Sequence, residues 1–156
     1  MTPTLDNLDI AILALLQENA SLTIGETAEA VNLSQNACWR RIKRMEESGL
    51  IRKRVALLDA AKLGAGVTVF VTLRATEHSE EWLQGLAAAV GRIPEVTEFY
   101  RMSGDADYLL KLQVADIAAY DRVYKRLIRV VKLSDVSSAF AMEELKHTTA
   151  IPLPGR

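Results

Sequence analysis

The sequence of 156 residues contains one cysteine and two histidines. A single cysteine excludes a disulfide within the chain, so Cys38 is interpreted as a small buried hydrophobic residue. His78 and His147 stand far apart in the sequence, without cysteine or carboxylate partners at metal-ligand spacing, and no metal site is predicted. The glycine patterns of a P-loop, a nucleophile elbow and a dinucleotide-binding turn are also missing. The sequence therefore offers no catalytic residue and no cofactor site.

Long hydrophobic runs are missing as well. No apolar stretch approaches the length that crosses a bilayer, and the opening residues, MTPTLDNLD, lack the basic-then-apolar order of a signal peptide. We therefore expect a cytoplasmic protein without a membrane partner. The hydrophobic content of 49% is ample for packed cores.

An excess of charge of one sign is missing from the chain but present locally. The whole chain has 19 basic and 20 acidic side chains. Between Arg40 and Arg54 there are seven basic residues and two acidic ones, a net charge of +5. From Asp59 onward, 12 basic residues face 13 acidic ones. A compact basic patch on a near-neutral protein suits contacts to phosphates.

Two short helices joined by a tight turn are predicted beside this patch. Thr23 and Glu26 stand three residues apart and can form a capping box that begins the first helix. Asn32 tolerates the left-handed conformation that ends a helix, and Ser34 is a strong N-cap for the next one. The second helix should span residues 35–48 and stop at the following glycine. This arrangement is typical of a DNA-reading helix-turn-helix.

The second of these helices divides into an apolar stripe and a basic face. Cys38, Ile42 and Met45 recur at helical spacing and should be buried, while Arg41 borders them and can serve structure. For an isolated helix, a merely solvated charged face is the better interpretation, but the preceding capped helix and turn favour DNA binding. The predicted DNA-binding residues are Ser34, Gln35, Asn36, Trp39, Arg40, Lys43 and Arg44.

Three more predictions concern the organisation of the first half. A first helix over residues 7–18, with Ile12, Leu13, Leu15 and Leu16 inward, would complete a three-helix unit. A short strand is expected over residues 50–58. The predicted domains are a winged helix-turn-helix domain, a linker with little periodicity and a second domain, at 1–58, 59–66 and 67–156.

The second half of the chain predicts a repeated strand-helix-strand unit. Alternating apolar residues predict four strands, at 67–74, 96–102, 108–114 and 136–145. Ser79 and Asp116 are the expected N-caps of two helices. The predicted inward residues are Trp82, Leu86, Val90 and Ile93 on the first helix, and Ile117, Tyr120, Tyr124, Leu127 and Val131 on the second. The βαββαβ order predicts an α+β fold, a ferredoxin-like antiparallel sheet with both helices on one face.

The opposite face of that sheet also carries apolar residues in this interpretation. Neither side of the sheet is clearly polar, because apolar residues occur at Val67 to Leu73, Phe99, Leu109, Ala139, Phe140 and Ala141. We therefore expect this face to pack against a second subunit.

The whole arrangement resembles the leucine-responsive regulator/AsnC family, the feast/famine transcription regulators. The resemblance rests on SQNACWRRIKRMEESGLI, on VALLD, and on MSGDADYLL and FAMEELK in the βαββαβ half, and it spans Leu5 to about Thr149. The NLSQNACWRRIKRMEESGLI segment and the TTAIPLP ending are similar to the branch that answers to sulfur-containing amino acids such as cysteine. Ala37 stands where family members often have proline, which removes a rigid first-turn residue without abolishing the helix.

The resemblance implies partners and a ligand. It implies dimerisation through the sheet, assembly of dimers into octamers, and a small amino acid bound between dimers. The residues that match the effector-response positions, with Ser103 added for its backbone N–H, are Arg101, Ser103, Gly104, Asp107, Ile117, Ala139, Phe140 and Ala141. Asp107 offers a carboxylate to an α-ammonium group, although Gly104 and Asp107 can equally do no more than shape a β-turn. Alanines beside Phe140 favour cysteine, alanine, methionine or leucine over larger effectors.

Two other functions compete with a DNA-binding regulator. A small dimeric α+β-barrel enzyme, such as a monooxygenase-like protein, shares the ferredoxin-like half but would have no use for residues 1–50. An amino-acid sensor could instead bind a partner protein through its helical head. DNA binding by an isolated fragment of residues 1–60 would separate these alternatives from a regulator that binds double-stranded DNA.

Overall fold

The computed structural model describes residues 4–130 and 132–155. The chain divides into two compact units. The first comprises the described parts of Met1–Leu57 and Lys146–Arg156, and the second is Leu58–Leu145. The sequence-based division assigned residues 146–156 to the second domain, whereas the structure groups this tail with the first.

The first unit contains three helices, α1 (Asn7–Glu18), α2 (Ile24–Ala30) and α3 (Gln35–Glu47). Each begins at a side chain that accepts a hydrogen bond from the backbone of its first turn: Asp6, Thr23 and Ser34. The capping box predicted at the start of α2 is present. A second capping box, which the sequence analysis did not predict, begins α1.

The turn between α2 and α3 has the backbone expected from its sequence. Asn32 has a φ of 54°, in the left-handed region, and Gly49 ends α3 with a φ of 75°. The left-handed conformation at Asn32 reverses the chain before α3, whose residues Cys38, Ile42 and Met45 are buried in the core. The buried residues of this core are Ile12, Leu13, Ala28, Val31, Cys38, Ile42 and Met45.

The strand predicted over residues 50–58 is wrong. The described residues pair this segment with no other strand, and it runs as irregular chain with Val55, Leu57 and Leu58 exposed. A β-branched sequence alone does not make a strand, because the ladder needs a hydrogen-bonding partner.

The tail of residues 146–155 packs within the first unit. The side chain of Gln17 on α1 exchanges hydrogen bonds with the backbone of Ile151, and Leu153 packs against the three-helix core. The tail thereby adds to the core of the first unit, which was predicted to consist of the three helices alone.

The second unit has the predicted βαββαβ order. Its elements are β1 (Val67–Ala75), α4 (Glu80–Val90), β2 (Val96–Arg101), β3 (Tyr108–Val114), α5 (Ile117–Val130) and β4 (Leu133–Phe140). The sheet is antiparallel, with the strand order β2-β3-β1-β4 of a ferredoxin-like fold. Ser79 and Asp116 accept hydrogen bonds from Trp82 N and Ala119 N, as expected of N-caps.

One core joins both helices to one face of the sheet. Its buried members include alternate residues of β1 and β3, together with Trp82, Leu86, Val90 and Ile93 from α4 and the turn after it. On α5 the buried residues are Val123 and Leu127, with Tyr120 and Tyr124 partly buried. The prediction that Ile117 faces inward is wrong, since it is 71% exposed at the first position of the helix. Val131 lies outside the described residues.

A bulge changes which residues of β2 face the helices. The register shifts between Val96 and Glu98, so Thr97 is an extra residue in this strand. Phe99 therefore returns to the helix side, where its ring lies 5.7 Å from that of Tyr108. The assignment of Phe99 to the opposite face is wrong for this reason.

Two details of β4 also differ from the prediction. Phe140 pairs with buried Val69 and contacts Tyr120 edge-on at 5.2 Å, so it lies on the helix side and not on the opposite face. The strand begins at Leu133 and ends at Phe140, so the extension to residue 145 is wrong. The last backbone hydrogen bond between this segment and β1 runs from Ala141 N to Thr68 O. Because β1 begins at Val67, residues 142–145 extend past the start of β1 and have no strand beside them to pair with.

Candidate nucleic-acid interface and effector site

The exposed face of α3 carries most of the predicted DNA-binding residues. Gln35 and Asn36 are exposed in the first turn, where backbone N–H groups and the helix dipole favour a phosphate. Arg40 is exposed one turn further along. Lys43 Nζ lies 4.9 Å above the ring of Trp39, which is itself 45% exposed. This cation–π contact orders two side chains on the surface that a groove would meet.

Some of the positive charge of this region is already paired. Lys43 lies 3.8 Å from Glu47, and Arg54 lies 3.2 Å from Glu46. These exposed pairs hold their partners weakly and leave the cations available to an incoming phosphate. Ser34, in contrast, uses its hydroxyl to cap α3 through Ala37 N at 3.3 Å.

A buried carboxylate of α1 lies against α3, and no local sequence pattern points to it because its partners are more than thirty residues away. Asp9 of α1 is 1% exposed and forms ion pairs with both Arg41 and Arg44. Arg41 also binds Asp6 at 2.7 Å, so it serves structure, as its place beside the buried stripe indicated. A hydrogen bond from Asp9 N and then one from Arg41 hold the pKa of Asp6 below its ordinary value. Hydrogen bonds to Asp6 and Asp9 raise the pKa of Arg41.

The turn between β2 and β3 contains Ser103, Gly104 and Asp107. Gly104 has a φ of 123°, a conformation that L side chains rarely adopt. The Asp107 carboxylate accepts a hydrogen bond from Ala75 N at 2.8 Å, and Asp107 O accepts one from Met102 N at 2.8 Å. The Asp107 carboxylate therefore ties this turn to the end of β1, and its part in effector binding stays a prediction.

The predicted effector residues form two separate groups in one protomer. Arg101, Ser103, Gly104 and Asp107 lie at the end of β1, beside Ala75, whereas Ala139, Phe140 and Ala141 pair with its beginning. Ile117 belongs to the second group, because it follows β3, whose last residue pairs with Val67. Val69 and Ala75 are six residues apart, about 20 Å along a strand. A single protomer thus does not bring the two groups into one pocket.

Within the described residues, no helix is both long and apolar enough to span a membrane. The same part of the chain holds no group of three or more His, Cys, Asp or Glu side chains that could bind a metal ion.

Comparisons with known proteins agree with both units. Residues 5–52 match a family described as winged helix-turn-helix DNA-binding. Residues 68–151 match the Lrp/AsnC ligand binding domain. An exposed recognition helix on a three-helix unit, followed by a ligand-binding ferredoxin-like domain, defines a DNA-binding transcriptional regulator.

Individual relatives place this regulator in a family. The chain is 56% identical over 154 residues to the glutamate uptake regulatory protein of Zymomonas mobilis, covering 99% of this chain and 94% of the relative. It is 48% identical over 150 residues to the DNA-binding transcriptional activator DecR of Escherichia coli, covering 96% and 99% of the two chains. The chain belongs to the Lrp/AsnC family of transcriptional regulators, and its homologues are regulators, not enzymes.

Solved structures show the same fold. An AsnC family transcriptional regulator from Agrobacterium tumefaciens matches with a TM-score of 0.92 and 55% identity, covering 95% of this chain and 97% of that one. A transcriptional regulator from Neisseria meningitidis, solved in complex with L-Met, matches with a TM-score of 0.91 and 36% identity, covering 97% and 98%.

Proposed function

We propose that this protein is a cytoplasmic, homo-oligomeric regulator that binds a specific DNA sequence through α3 and responds to a small amino acid. The observation that carries the DNA-binding part is the exposed face of α3. Asn36, Arg40 and Lys43 lie on the side opposite the buried stripe, and Gln35 is exposed in the first turn. Amides in the first turn suit base edges, and the cations further along suit phosphates.

Binding to DNA can be tested with a duplex selected from a random pool by the wild-type protein. Replacing Arg40 with alanine should weaken binding and lower the slope of log K against log salt by about one. Arg129→Ala is the matched control, because Arg129 is an exposed arginine on α5 in the other unit. Unchanged affinity and slope in folded Arg40→Ala protein would remove Arg40 from the interface.

The effector site is proposed to combine residues from two protomers. Arg101, Gly104 and Asp107 lie at one end of β1, and the Ala139–Ala141 segment lies at the other, so one copy cannot enclose a small ligand with both groups. Two copies can, if the turn of one approaches the strand end of another. This arrangement supports a ligand held between two protomers. That these protomers belong to different dimers, and that the dimers assemble into an octamer, is the part of the proposal that rests on the family resemblance.

A small, uncharged side chain is the proposed specificity of that site. Ala139 and Ala141 flank Phe140, and the Neisseria relative was solved with L-Met. Cysteine, methionine, alanine and leucine are therefore the candidate effectors. A thermal-shift screen of the twenty amino acids tests this, because a ligand that binds only the folded state raises the melting temperature. A shift with glutamate or arginine alone would overturn the proposed specificity.

A further inference from the structure

A buried carboxylate links α1 to the recognition helix. Asp9 Oδ1 accepts a hydrogen bond from Arg41 Nη1 at 2.8 Å, and Asp9 Oδ2 accepts one from Arg44 Nη2 at 2.7 Å. Asp9 Oδ2 also accepts from Asp6 N at 3.2 Å, as part of the capping box of α1. Asp9 is thus fixed by its own helix while it binds two cations of α3.

Arg41 and Arg44 differ in how much of the side chain is exposed and able to bind a ligand. The side chain of Arg41 is 24% exposed and binds two carboxylates, so its role is internal. The side chain of Arg44 is 59% exposed, although one of its nitrogens is bonded to a carboxylate that is 1% exposed. A guanidinium has five N–H donors, so Arg44 keeps most of its donors for a ligand.

The position of Arg44 on α3 is at the edge of the proposed DNA-binding face. It comes four residues after Arg40, one turn further along the same side, and three after Arg41, which faces α1. A recognition helix presents the middle of its exposed face to bases, and residues at the edge of that face meet the flanking phosphates.

We propose that Asp9 is a positioning residue for DNA recognition, which holds the Arg44 guanidinium at the edge of α3 so that it can bind a backbone phosphate. An arginine that a carboxylate already holds loses less conformational entropy when it binds a phosphate, because the orientation of its planar guanidinium is fixed beforehand. The proposal rests on the DNA-binding function of α3. It adds that a residue of α1, which does not contact DNA, contributes to affinity through Arg44.

The test uses full-length Asp9→Asn, with the selected duplex and an unrelated duplex of equal length. Asparagine retains an oxygen for Asp6 N but loses the charge that anchors Arg44. We expect affinity to fall about tenfold for both duplexes, because a backbone phosphate contact carries no sequence information. Asp6→Asn is the matched control, because in the part of the chain that the structure describes Asp6 pairs with Arg41 and Arg44 pairs with Asp9.

The decisive measurement repeats Asp9→Asn in an Arg44→Ala background. If Asp9 acts through Arg44, the second substitution has no further effect on DNA affinity. An equal loss with and without Arg44 would overturn the proposal, and so would tighter binding of the selected duplex by Asp9→Asn. A purely structural role would lower the melting temperature and leave this coupling at zero.

Arg44→Lys covers the case in which Asp9→Asn does not fold, since Arg44 is largely exposed. Lysine retains the charge but lacks the fork that can bridge Asp9 and a phosphate, so we expect a loss close to that of Arg44→Ala. Wild-type affinity in Arg44→Lys would overturn positioning by Asp9. If Arg40→Ala and Arg44→Ala both bind normally, the proposed interface itself fails, which is a different result.

Discussion

The side chain of Gln17 binds both backbone groups of Ile151, although 134 residues separate them. Ile151 N donates to Gln17 Oε1 at 2.8 Å, and Gln17 Nε2 donates to Ile151 O at 3.2 Å. One amide side chain on α1 thus satisfies the backbone N–H and the backbone C=O of Ile151 at the same time.

Replacing Gln17 with alanine should release this tail. Because both hydrogen bonds are exposed, we expect a loss of about 1 kcal/mol in the free energy of unfolding, and much faster hydrogen exchange at the Ile151 amide. Exchange measured by mass spectrometry on the peptide around residues 146–155 gives the result. Gln84→Ala is the control, because Gln84 is an exposed glutamine on α4 in the other unit. Wild-type protection of the tail in Gln17→Ala would show that other contacts, such as the packing of Leu153, hold it.

Charge placed on the open face of the sheet should prevent dimerisation. Phe70 is 40% exposed and pairs in register with Lys111 and Ala139, on the side of the sheet away from α4 and α5. Phe70→Glu would bury a carboxylate against the same patch of a second copy. We expect sedimentation at micromolar concentration to show a folded monomer. Ile128→Glu is the control, since Ile128 on α5 is 45% exposed and should leave the dimer intact.

Acid should destabilise the protein through its capping carboxylates. The backbone N–H of Thr23 and then its hydroxyl hold the pKa of Glu26 below its ordinary value, and Asp6 is lowered in the same direction. A carboxyl group with a lowered folded-state pKa stabilises the fold above its unfolded pKa, and this contribution is lost as the pH falls through the folded pKa.

The corresponding experiment follows denaturant unfolding from about pH 6 to about pH 2. The double variant Asp6→Asn, Glu26→Gln should be less stable at the upper end and should lose less stability on acidification. Glu29→Gln, an exposed carboxylate on the same helix as Glu26, should keep the wild-type slope. Parallel pH profiles for the wild type and the double variant would contradict the assignment.

The parts of the fold that sequence predicts are those fixed by neighbouring residues. Helix starts are predictable at Thr23, Ser34 and Ser79, because each of these side chains accepts a hydrogen bond from the backbone N–H three residues further on. The alternation of β3 predicts its buried face for the same reason. Local chemistry was therefore enough for the order of α1 to α5 and β1 to β4, although it also predicted a strand over residues 50–58 that does not form.

Features that depend on distant residues were not predictable in this way. The extra residue Thr97 changes the face of Phe99, and a bulge leaves no local signal. Asp9 acquires its arginines from a helix more than thirty residues away. The separation of Asp107 from Phe140 follows from strand register, which a single strand's pattern does not fix.

The grouping of the tail with the first unit has a consequence for synthesis. The second unit, Leu58–Leu145, is inserted between the two segments that build the DNA-binding head. A ribosome adds roughly 5–20 residues per second, so on the order of ten seconds separates Leu57 from Leu153. During that interval the three helices lack one of their packing partners. A nascent chain that stalls within the insertion carries an unfinished head, and an isolated fragment of residues 1–60 does too. Grafting residues 146–155 behind residue 57 through a short linker would restore the discontinuous head as one continuous polypeptide.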